Sequence, residues 1–527
     1  MRVLLVNWAR LPEGPLDGGG VNGYCQQAAL GLIARGHEVC YLSSGVTYTR
    51  RGDGLGPCEV RRLDDYRGIR VFDVVNSPVI APGPCQARDP AAEVSSPALE
   101  AEVARFVGLL APDVTHFHNI EGLSAGCVHA VRRANPGGRI AFSLHNYHTV
   151  CPQVYLMQRG RVACRSFRGG HACVGCADVC DPSDERLIRA GVRDRHARVT
   201  PTVETGPRGL RGLFAPAPPP VTDPLPGAPT AVLADLAPRP ARAAAPAAMA
   251  ATPRPAEECV PLENDPSPDP WDSAEQNAYG ARRRAMLDAL SSCDGVLAVS
   301  GFVRAKFEAL GVDGRVLRTL RIGTRMTELA AAAGVGAPAG PRAPGPVRIV
   351  FLGYHNYFKG LHSLVEALEL CAGDVLRGLD LFVSAKAVEP IEPALRRLRP
   401  RLGGLAVEHG YRYEEIPDLL RGREVGVVPS VWWDNGPQTV LEFQACGLAV
   451  VGAAVGGVPE MVRDGVDGLL VRGNDPPALA AALARLVRED GLVDHLRAGV
   501  RPPKDMATHV LELERVYADL FRPAGGA

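Results

Sequence analysis

Three stretches of this chain carry polar side chains at spacings that could do chemistry on a charged, hydroxyl-rich ligand. The first is VVPSVWWDNGPQTVLEFQ, a strand-like apolar run ending at Ser430, then Asp434, then a helix opening at Gly436-Pro437. Pro suits the first helical position, where its missing N–H is no loss. Glu442 falls about one and a half turns into that helix. Asp434 and Glu442 are thereby carried on one rigid element at different depths. A carboxylate ahead of the helix can take sugar hydroxyls, and one along it can grip the paired hydroxyls of a ribose. Between them Asn435, Gly436, Pro437 and Gln438 form the helix start, whose bare amides suit a diphosphate. Helix capping by Asp434 would explain that residue alone, not the whole string. The second stretch, FLGYHNYFKG, delivers Lys359 to another helix start, where a cation can neutralise a diphosphate. The third is a pair of strand ends, THFHN and LHNYH, carrying His116, His118, His145 and His148. Ligands of open α/β sheets bind beyond the carboxyl ends of strands. A histidine there can orient hydroxyls or move protons near neutral pH. His118 and His145 are the candidates, with Asn146 beside them on the acceptor side.

Two further motifs have competing readings. DGGGVNGY contains G-x-G-x-x-G as Gly18, Gly20 and Gly23. About ten residues separate it from the first strand, and the second strand ends in Ser43-Ser44-Gly45 without an acidic residue, so a nicotinamide dinucleotide is disfavoured. A glycine loop at a helix N-terminus, open to a phosphate or sugar, is the better reading; a plain surface loop is the other. CRSFRGGHACVGCADVC places Cys164, Cys173, Cys176 and Cys180 in one loop. That spacing fits a structural zinc; an iron–sulfur cluster and free thiols are the alternatives. Four thiolates would leave no open position for catalysis.

The elements that must hold these residues alternate strand and helix. MRVLLVN, HEVCYLSS, PDVTHFHN and RIAFSLHN read as strands, and VNGYCQQAALGLIARG as an amphipathic helix ending at Gly36. This order at these lengths implies a parallel sheet with crossover helices. The pattern repeats from VRIVFLGY onward. The expected class is therefore α/β, with two Rossmann-like doubly wound domains facing a central cleft. Residues 1–205 and 276–330 make the first domain, 331–346 a linker, 347–500 the second domain, and 501–527 a C-terminal helix and tail. Residues 206–275, dominated by Pro and Ala, read as a disordered insertion with no core of its own.

Composition narrows the function. Lys plus Arg equals Asp plus Glu, 58 each, so no net field draws the chain to nucleic acid or an anionic membrane. The first residues read as a strand and not a signal peptide, and no apolar run of about 18 residues is present to span a bilayer. The chain has 14 cysteines, several of them, such as Cys40, Cys127 and Cys446, alone in apolar elements. That usage suits reduced thiols in the cytoplasm.

The stretch from Phe351 to Arg472 resembles the C-terminal domain of family 4 glycosyltransferases, which have the GT-B fold. Their Glu-x7-Glu motif stands here as Asp434-x7-Glu442, followed by FQACGLAVVGAAVGGVPE, and their Lys-Gly pair as Lys359-Gly360. GGGVNGYCQQAALGLIARGHEV, PDVTHFHN, SLHNYHTVCP and AVSGFVRAKFEALGV are similar to segments of their acceptor domain. The resemblance implies retaining transfer from a nucleotide-sugar donor to an acceptor it does not identify: a small molecule, a lipid-linked glycan or a polysaccharide. No metal or other cofactor would be needed for catalysis, and peripheral membrane association is compatible with such an acceptor. By motif Glu442 holds the donor ribose, Lys359 the diphosphate and Asp434 the transferred sugar. His118 lies near the reacting centre, and Gly19 and Gly20 approach the donor phosphate. Asp434 is one methylene shorter than the family's Glu, Tyr354 stands where an Arg is common, and Asn146 stands where an Asp often follows the His. These departures keep open a catalytically weak or silent nucleotide-sugar-binding protein. A nucleotide-sugar epimerase is disfavoured by the acidic-x7-Glu helix.

Overall fold

The computed structural model describes residues 1–165, 167–177, 181–197, 262–267, 276–336, 340–354 and 357–522. Short β-branched runs such as RVLLV and AVVGA are buried on both faces, which selects parallel sheets covered by helices. In the first half, β1 (Arg2–Val6), β2 (Glu38–Thr47), β3 (Glu59–Arg62), β4 (Arg70–Val75), β5 (Val114–Phe117), β6 (Arg139–Leu144), β7 (Gly295–Ala298) and β8 (Leu317–Thr319) form one sheet in the order β8-β7-β6-β5-β1-β2-β4-β3. β1 pairs in parallel with both β2 and β5, so the chain direction switches there. β3 alone runs antiparallel, at an edge. The second half holds β9 (Val347–Tyr354), β10 (Leu379–Lys386), β11 (Gly404–Glu408), β12 (Val425–Val428), β13 (Ala449–Ala453) and β14 (Gly468–Val471), in the order β11-β10-β9-β12-β13-β14 and parallel throughout. Its switch point lies between β9 and β12. Both switch points open at carboxyl strand ends, where Lys359, Asp434 and the histidines follow.

Helix α1 (Gly14–Ala34) departs from its sequence pattern. The glycines expected to form a loop before a helix lie inside a helical run, broken at Gly19 by φ 66° and ψ −170°. Gly tolerates that break because no Cβ opposes a positive φ. α2 (Ala278–Ser291) starts under the Asn277 side chain, and α3 (Gly301–Ala309) under Ser300, whose Oγ accepts the Val303 N–H at 3.3 Å. α4 (Met326–Ala332) already belongs to the second half, burying Met326 and Ala330 among Val350, Leu352, Val440 and Phe443. α5 (Leu361–Leu370) and α6 (Gln438–Ala445) follow β9 and β12.

The last helix, α7 (Met506–Leu520), crosses back to the first half. Val510, Leu513, Tyr517 and Leu520 recur at helical spacing and bury against Val3, Leu5, Ala28 and Leu32. Gly31 and Gly295 admit it: a Cβ at Gly31 would stand 2.6 Å from Val510, and one at Gly295 2.8 Å from Leu520. The tail therefore ties the two halves together. Six residues of the Pro/Ala-rich stretch, 262–267, also have a fixed place. Leu262 is buried and pairs with Gly473. The rest of that stretch, apart from Gln276 onward, lies outside the described residues.

Candidate functional site

The C-terminal side of the cleft is built from two strand ends. After β9 a short turn, Tyr357–Lys359, carries Lys359 inward. Gly360 follows with φ 75°, and a Cβ there would lie 1.8 Å from Pro429 O. Only glycine lets this loop lie against the end of β12. Lys359 Nζ sits 3.0 Å from Asp434 Oδ2, which also accepts a 3.2 Å bond from Ser430 Oγ. The Asp434 side chain is buried, and its main-chain carbonyl accepts the Gly457 N–H at 2.7 Å. Gly456, at φ 57°, presses on the same carbonyl; a Cβ there would lie 2.0 Å from it. The VGGVPE turn thus fixes Asp434 from below.

Glu442 lies on α6, 5% exposed, and its Oε2 has no hydrogen-bond partner among the described residues. Burial pushes its carboxyl up to about 7, against the opposing pull of Lys359. The helix opens one residue later than its sequence suggests. Pro437 has ψ 124°, outside the helical region, so it caps α6 and Gln438 is the first helical residue. Gln438 Nε2 donates to Gly20 O at 2.8 Å, and Asn435 Nδ2 to Leu144 O at 3.4 Å. The helix start therefore touches both the broken glycine helix and the strand end that leads to His145. A Cβ on Gly20 would meet the Gln438 side chain at 3.3 Å; one on Gly19 would meet open space. Gly436 faces Met461 and Val299, and its backbone continues the same seam.

On the other side, the four histidines divide. His116 is satisfied inside the half, with Nδ1 2.7 Å from Tyr517 Oη and Nε2 2.8 Å from Ser143 Oγ. His148 belongs to a buried ion network: its Nε2 is 2.9 Å from Glu93 Oε1, and Arg282 clasps the same carboxylate at 2.6 and 3.0 Å. Burial would raise the Glu93 carboxyl, but Arg282 and His148 draw it down to about 2. His118 and His145, the two selected from sequence, meet each other, Nδ1 to Nε2 at 3.2 Å. His118 Nε2 has no partner among the described residues. Tyr24 packs on both rings and bonds His509 at 2.7 Å. Burial, the main cause, lowers His118 well below the usual imidazole range and His145 to about 4, so both rings are neutral at pH 7. Asn146 donates to Glu121 Oε1 at 3.2 Å and accepts the His148 N–H at 2.9 Å. It shapes the turn after β6.

Several residues that sequence spacing did not single out complete the seam. Trp432, just ahead of Asp434, meets Tyr155 and Tyr147 edge-on at 5.0 and 6.0 Å, while Tyr155 stacks on Phe358 at 3.9 Å. Lys359 Nζ lies 5.9 Å from the Trp432 ring. Apolar packing from both halves thus closes part of the cleft next to the charged pair. Glu460, at the end of the glycine turn, accepts the Gly301 and Phe302 N–H groups at 2.9 and 2.7 Å, placing a carboxylate from one half on a helix start of the other. Tyr147 Oη is fully buried without a partner among the described residues; burial and, second, the nearby Asp434 charge hold it well above the usual phenol range. Buried polar atoms are nearly always partnered. Here His118 Nε2, Tyr147 Oη, Trp432 Nε1, Asn435 Oδ1 and Glu442 Oε2 are not. Five such atoms thus come from the two halves facing the cleft.

The cysteine cluster is described only in part. Cys164 and Cys173 are buried and Cys176 is half-buried, its Sγ accepting the Arg159 N–H at 3.0 Å. Cys180 lies outside the described residues. Among the described residues no group of three or more His, Cys, Asp or Glu is arranged to hold a metal.

Residues 346–489 match the family model described as Glycosyl transferases group 1. The match falls within the second half of the fold. The D-inositol 3-phosphate glycosyltransferase of Salinispora arenicola is 36% identical over 144 residues, 26% of this chain and 30% of the relative. That of Streptosporangium roseum is 45% identical over 85 residues, 16% and 19% of the two chains. A putative colanic acid biosynthesis glycosyltransferase of Salmonella typhimurium is 28% identical over 206 residues, 37% and 48%. The matched segments span less than half the length of these relatives. Sucrose-phosphate synthase from Thermosynechococcus elongatus superposes over 99% of both chains with TM-score 0.56 at 14% identity. The Anabaena protein HepE in complex with UDP covers 98% of this chain and all of its own, with TM-score 0.53 at 12% identity. At such identities the likeness is one of fold. The fold is GT-B, two Rossmann-like halves across a cleft, with the segment that matches the group 1 glycosyltransferase model in the second half. No described helix is long and apolar enough to cross a membrane.

Proposed function

We propose that the chain transfers a sugar, with retention of configuration, from a nucleotide-sugar bound by its group 1 glycosyltransferase domain to an acceptor held against the first half. The observation that carries this reading is the buried carboxylate of Glu442, left with a bare oxygen within the field of the Lys359–Asp434 pair. A buried carboxyl with one oxygen unpartnered among the described residues suits the paired hydroxyls of a ribose. Lys359 and the α6 amides then neutralise the diphosphate. Asp434, released from Lys359 as the diphosphate arrives, turns its Oδ2 to the sugar. Gly19 and Gly20 leave room for phosphate oxygens beside Gln438. His118 presents an unprotonated imidazole to the reacting carbon. The leaving diphosphate takes the acceptor's proton, so the protein stabilises charge and supplies no nucleophile. On this reading no metal is required, the protein works in the cytoplasm, and membrane association follows only from a lipid-linked acceptor. The cysteine loop is structural, with zinc its most fitting ion. Metal analysis of purified protein finds about one zinc per chain if so, and none if the thiols are free.

The reading is tested by incubating the chain with a panel of nucleotide sugars, UDP-sugars first, and following release of nucleoside diphosphate with and without a chelator. Release that survives chelation supports it. A changed sugar nucleotide with no diphosphate would mean an epimerase. Asp434→Asn should bind donor within a few-fold of wild type yet lose about 100-fold in turnover, because the group acts on the sugar and not on the nucleotide. The pairing of Lys359 with Asp434 favours a second reading, a silent binding protein whose cation and carboxylate neutralise each other. Donor binding without turnover on any acceptor, water included, would select it.

A further inference from the structure

Six residues of the Pro/Ala-rich stretch meet the donor pocket from outside. The Leu262 N–H donates to Gly473 O at 2.8 Å, and its side chain is buried in the core shared by the two halves. Trp433 Nε1 donates to Glu263 O at 2.9 Å. Asn264 makes a reciprocal pair with a single residue: its Oδ1 accepts the Gly456 N–H at 2.6 Å, and its Nδ2 donates to Gly456 O at 3.2 Å. Lys306 Nζ, on α3 of the first half, donates to Ser267 O at 2.9 Å. The hexapeptide thus bridges the halves, and its contacts with Trp433 and Gly456 on the second half fall beside Asp434. Trp433 is the residue before it. Gly456 and Gly457 are the turn that holds its carbonyl.

Gly456 is buried, in a left-handed conformation, and cannot join the β13 ladder. Its main-chain N–H and C=O still need partners, and the Asn264 amide supplies both. We propose that Asn264 is a positioning residue for the nucleotide-sugar pocket: by pinning Gly456 it fixes the Asp434 main chain, so that the long insertion ends in a clasp built into the donor site. This rests on the donor-pocket reading given above. The clasp makes residues 262–267 part of the machinery that holds Asp434.

The Asn264 side chain lies at the surface, so its replacement leaves both cores intact. Two measurements on the full chain test the role. In Asn264→Ala the Gly456 amide should exchange with solvent about tenfold faster, with the Val450 and Val451 amides unchanged. The kcat/KM for release of nucleoside diphosphate from a nucleotide sugar (UDP-, GDP- and ADP-sugars tried in turn) should fall about tenfold, while the calorimetric affinity for the matching diphosphate (UDP, GDP or ADP), which does not reach Asp434, stays within about twofold. Asn264→Asp keeps the acceptor for the Gly456 N–H and should restore its protection, with an intermediate kcat/KM. Faster Gly456 exchange with kcat/KM within twofold of wild type would overturn the clasp alone, as would unchanged exchange. Wild-type protein that binds none of the three diphosphates would overturn the donor-pocket reading, and the clasp's role with it.

Discussion

The two halves bring one architecture to the cleft with opposite electrostatics. In the first half burial keeps imidazoles neutral: His116 and His118 fall well below their usual range, His145 to about 4 and His509 to about 3. In the second half burial holds a carboxyl up, Glu442 at about 7. The imidazoles have partners, His116 with Tyr517 and Ser143, His118 with His145, and His509 with Tyr24 and Arg321 O. Glu442 keeps an oxygen with none among the described residues. A neutral wall, unpaired at His118 Nε2 and Tyr147 Oη among the described residues, faces an acid unpaired at Glu442 Oε2. Unmet polar atoms stand on both sides of the cleft, and only the one on the second half belongs to a carboxyl.

The sharpest way to break this contrast is at Glu442. Replacing it by Ala should weaken nucleoside diphosphate binding about 100-fold, the loss of a charged, bidentate hydrogen bond. Calorimetry reads it, and unchanged affinity would remove the ribose from this position. Glu442→Gln should also raise the melting temperature of the empty protein at pH 7. The sign follows from the raised carboxyl. The unfolded chain loses this proton near pH 4.5 and the folded chain near 7, so the group's contribution is intact below about 4.5 and falls as pH rises to 7. Removing it returns stability on the order of 2 kcal/mol at pH 7. Weaker binding together with a more stable protein is the signature of a site; loss of both would mean a structural acid.

The opposite slope belongs to the histidines. Their folded values lie below the unfolded value near 6.5, so their contribution is intact above pH 6.5 and is lost on acidification. His118, almost wholly buried, should make the protein less stable as the pH falls from 7 to 5.5. Chemical denaturation of wild type and His118→Asn across that window should show a shallower fall in the variant. Parallel curves would mean that His118 is solvated, and the neutral wall would lose its main element.

Much of this site was written in local spacing. Asp434-x7-Glu442 and Lys359-Gly360 each sit on one strand-turn-helix unit, so short-range rules place them. The histidines were legible only in part. His116 and His118 stand two apart, which turns both imidazoles to the same side, ring centres 4.0 Å apart. Only depth along the strand separates the buried one from the one at the cleft. The glycine run was misjudged as a loop because a single residue, Gly19, takes the whole break, and helical turns persist on either side. Contacts made across the chain left no local mark. α7 packing under β1, Glu460 on the start of α3 and Asn264 on Gly456 each join residues more than 150 positions apart. The doubled Trp before Asp434 was the one available hint of an aromatic seam.

The smallest effect expected concerns Tyr147, which sits on the neutral wall yet behaves like the acid opposite. Its ring meets Trp432 edge-on at 6.0 Å, and its hydroxyl is buried with no partner among the described residues, close enough to Asp434 to feel that charge. Tyr147→Phe removes one oxygen and keeps the ring. If the hydroxyl serves only packing, the variant gains on the order of 0.5–1 kcal/mol, because an unmet polar group has been deleted, and turnover is unchanged. If it completes the sugar pocket beside Asp434, the same gain comes with a roughly fivefold fall in kcat/KM and unchanged affinity for the bare nucleoside diphosphate, which does not reach the sugar position. Stability alone cannot separate the two outcomes, and the ratio of sugar-nucleotide to diphosphate affinity can. A ratio that holds steady would confine the Tyr147 hydroxyl to packing and would leave the sugar position to Asp434 and His118.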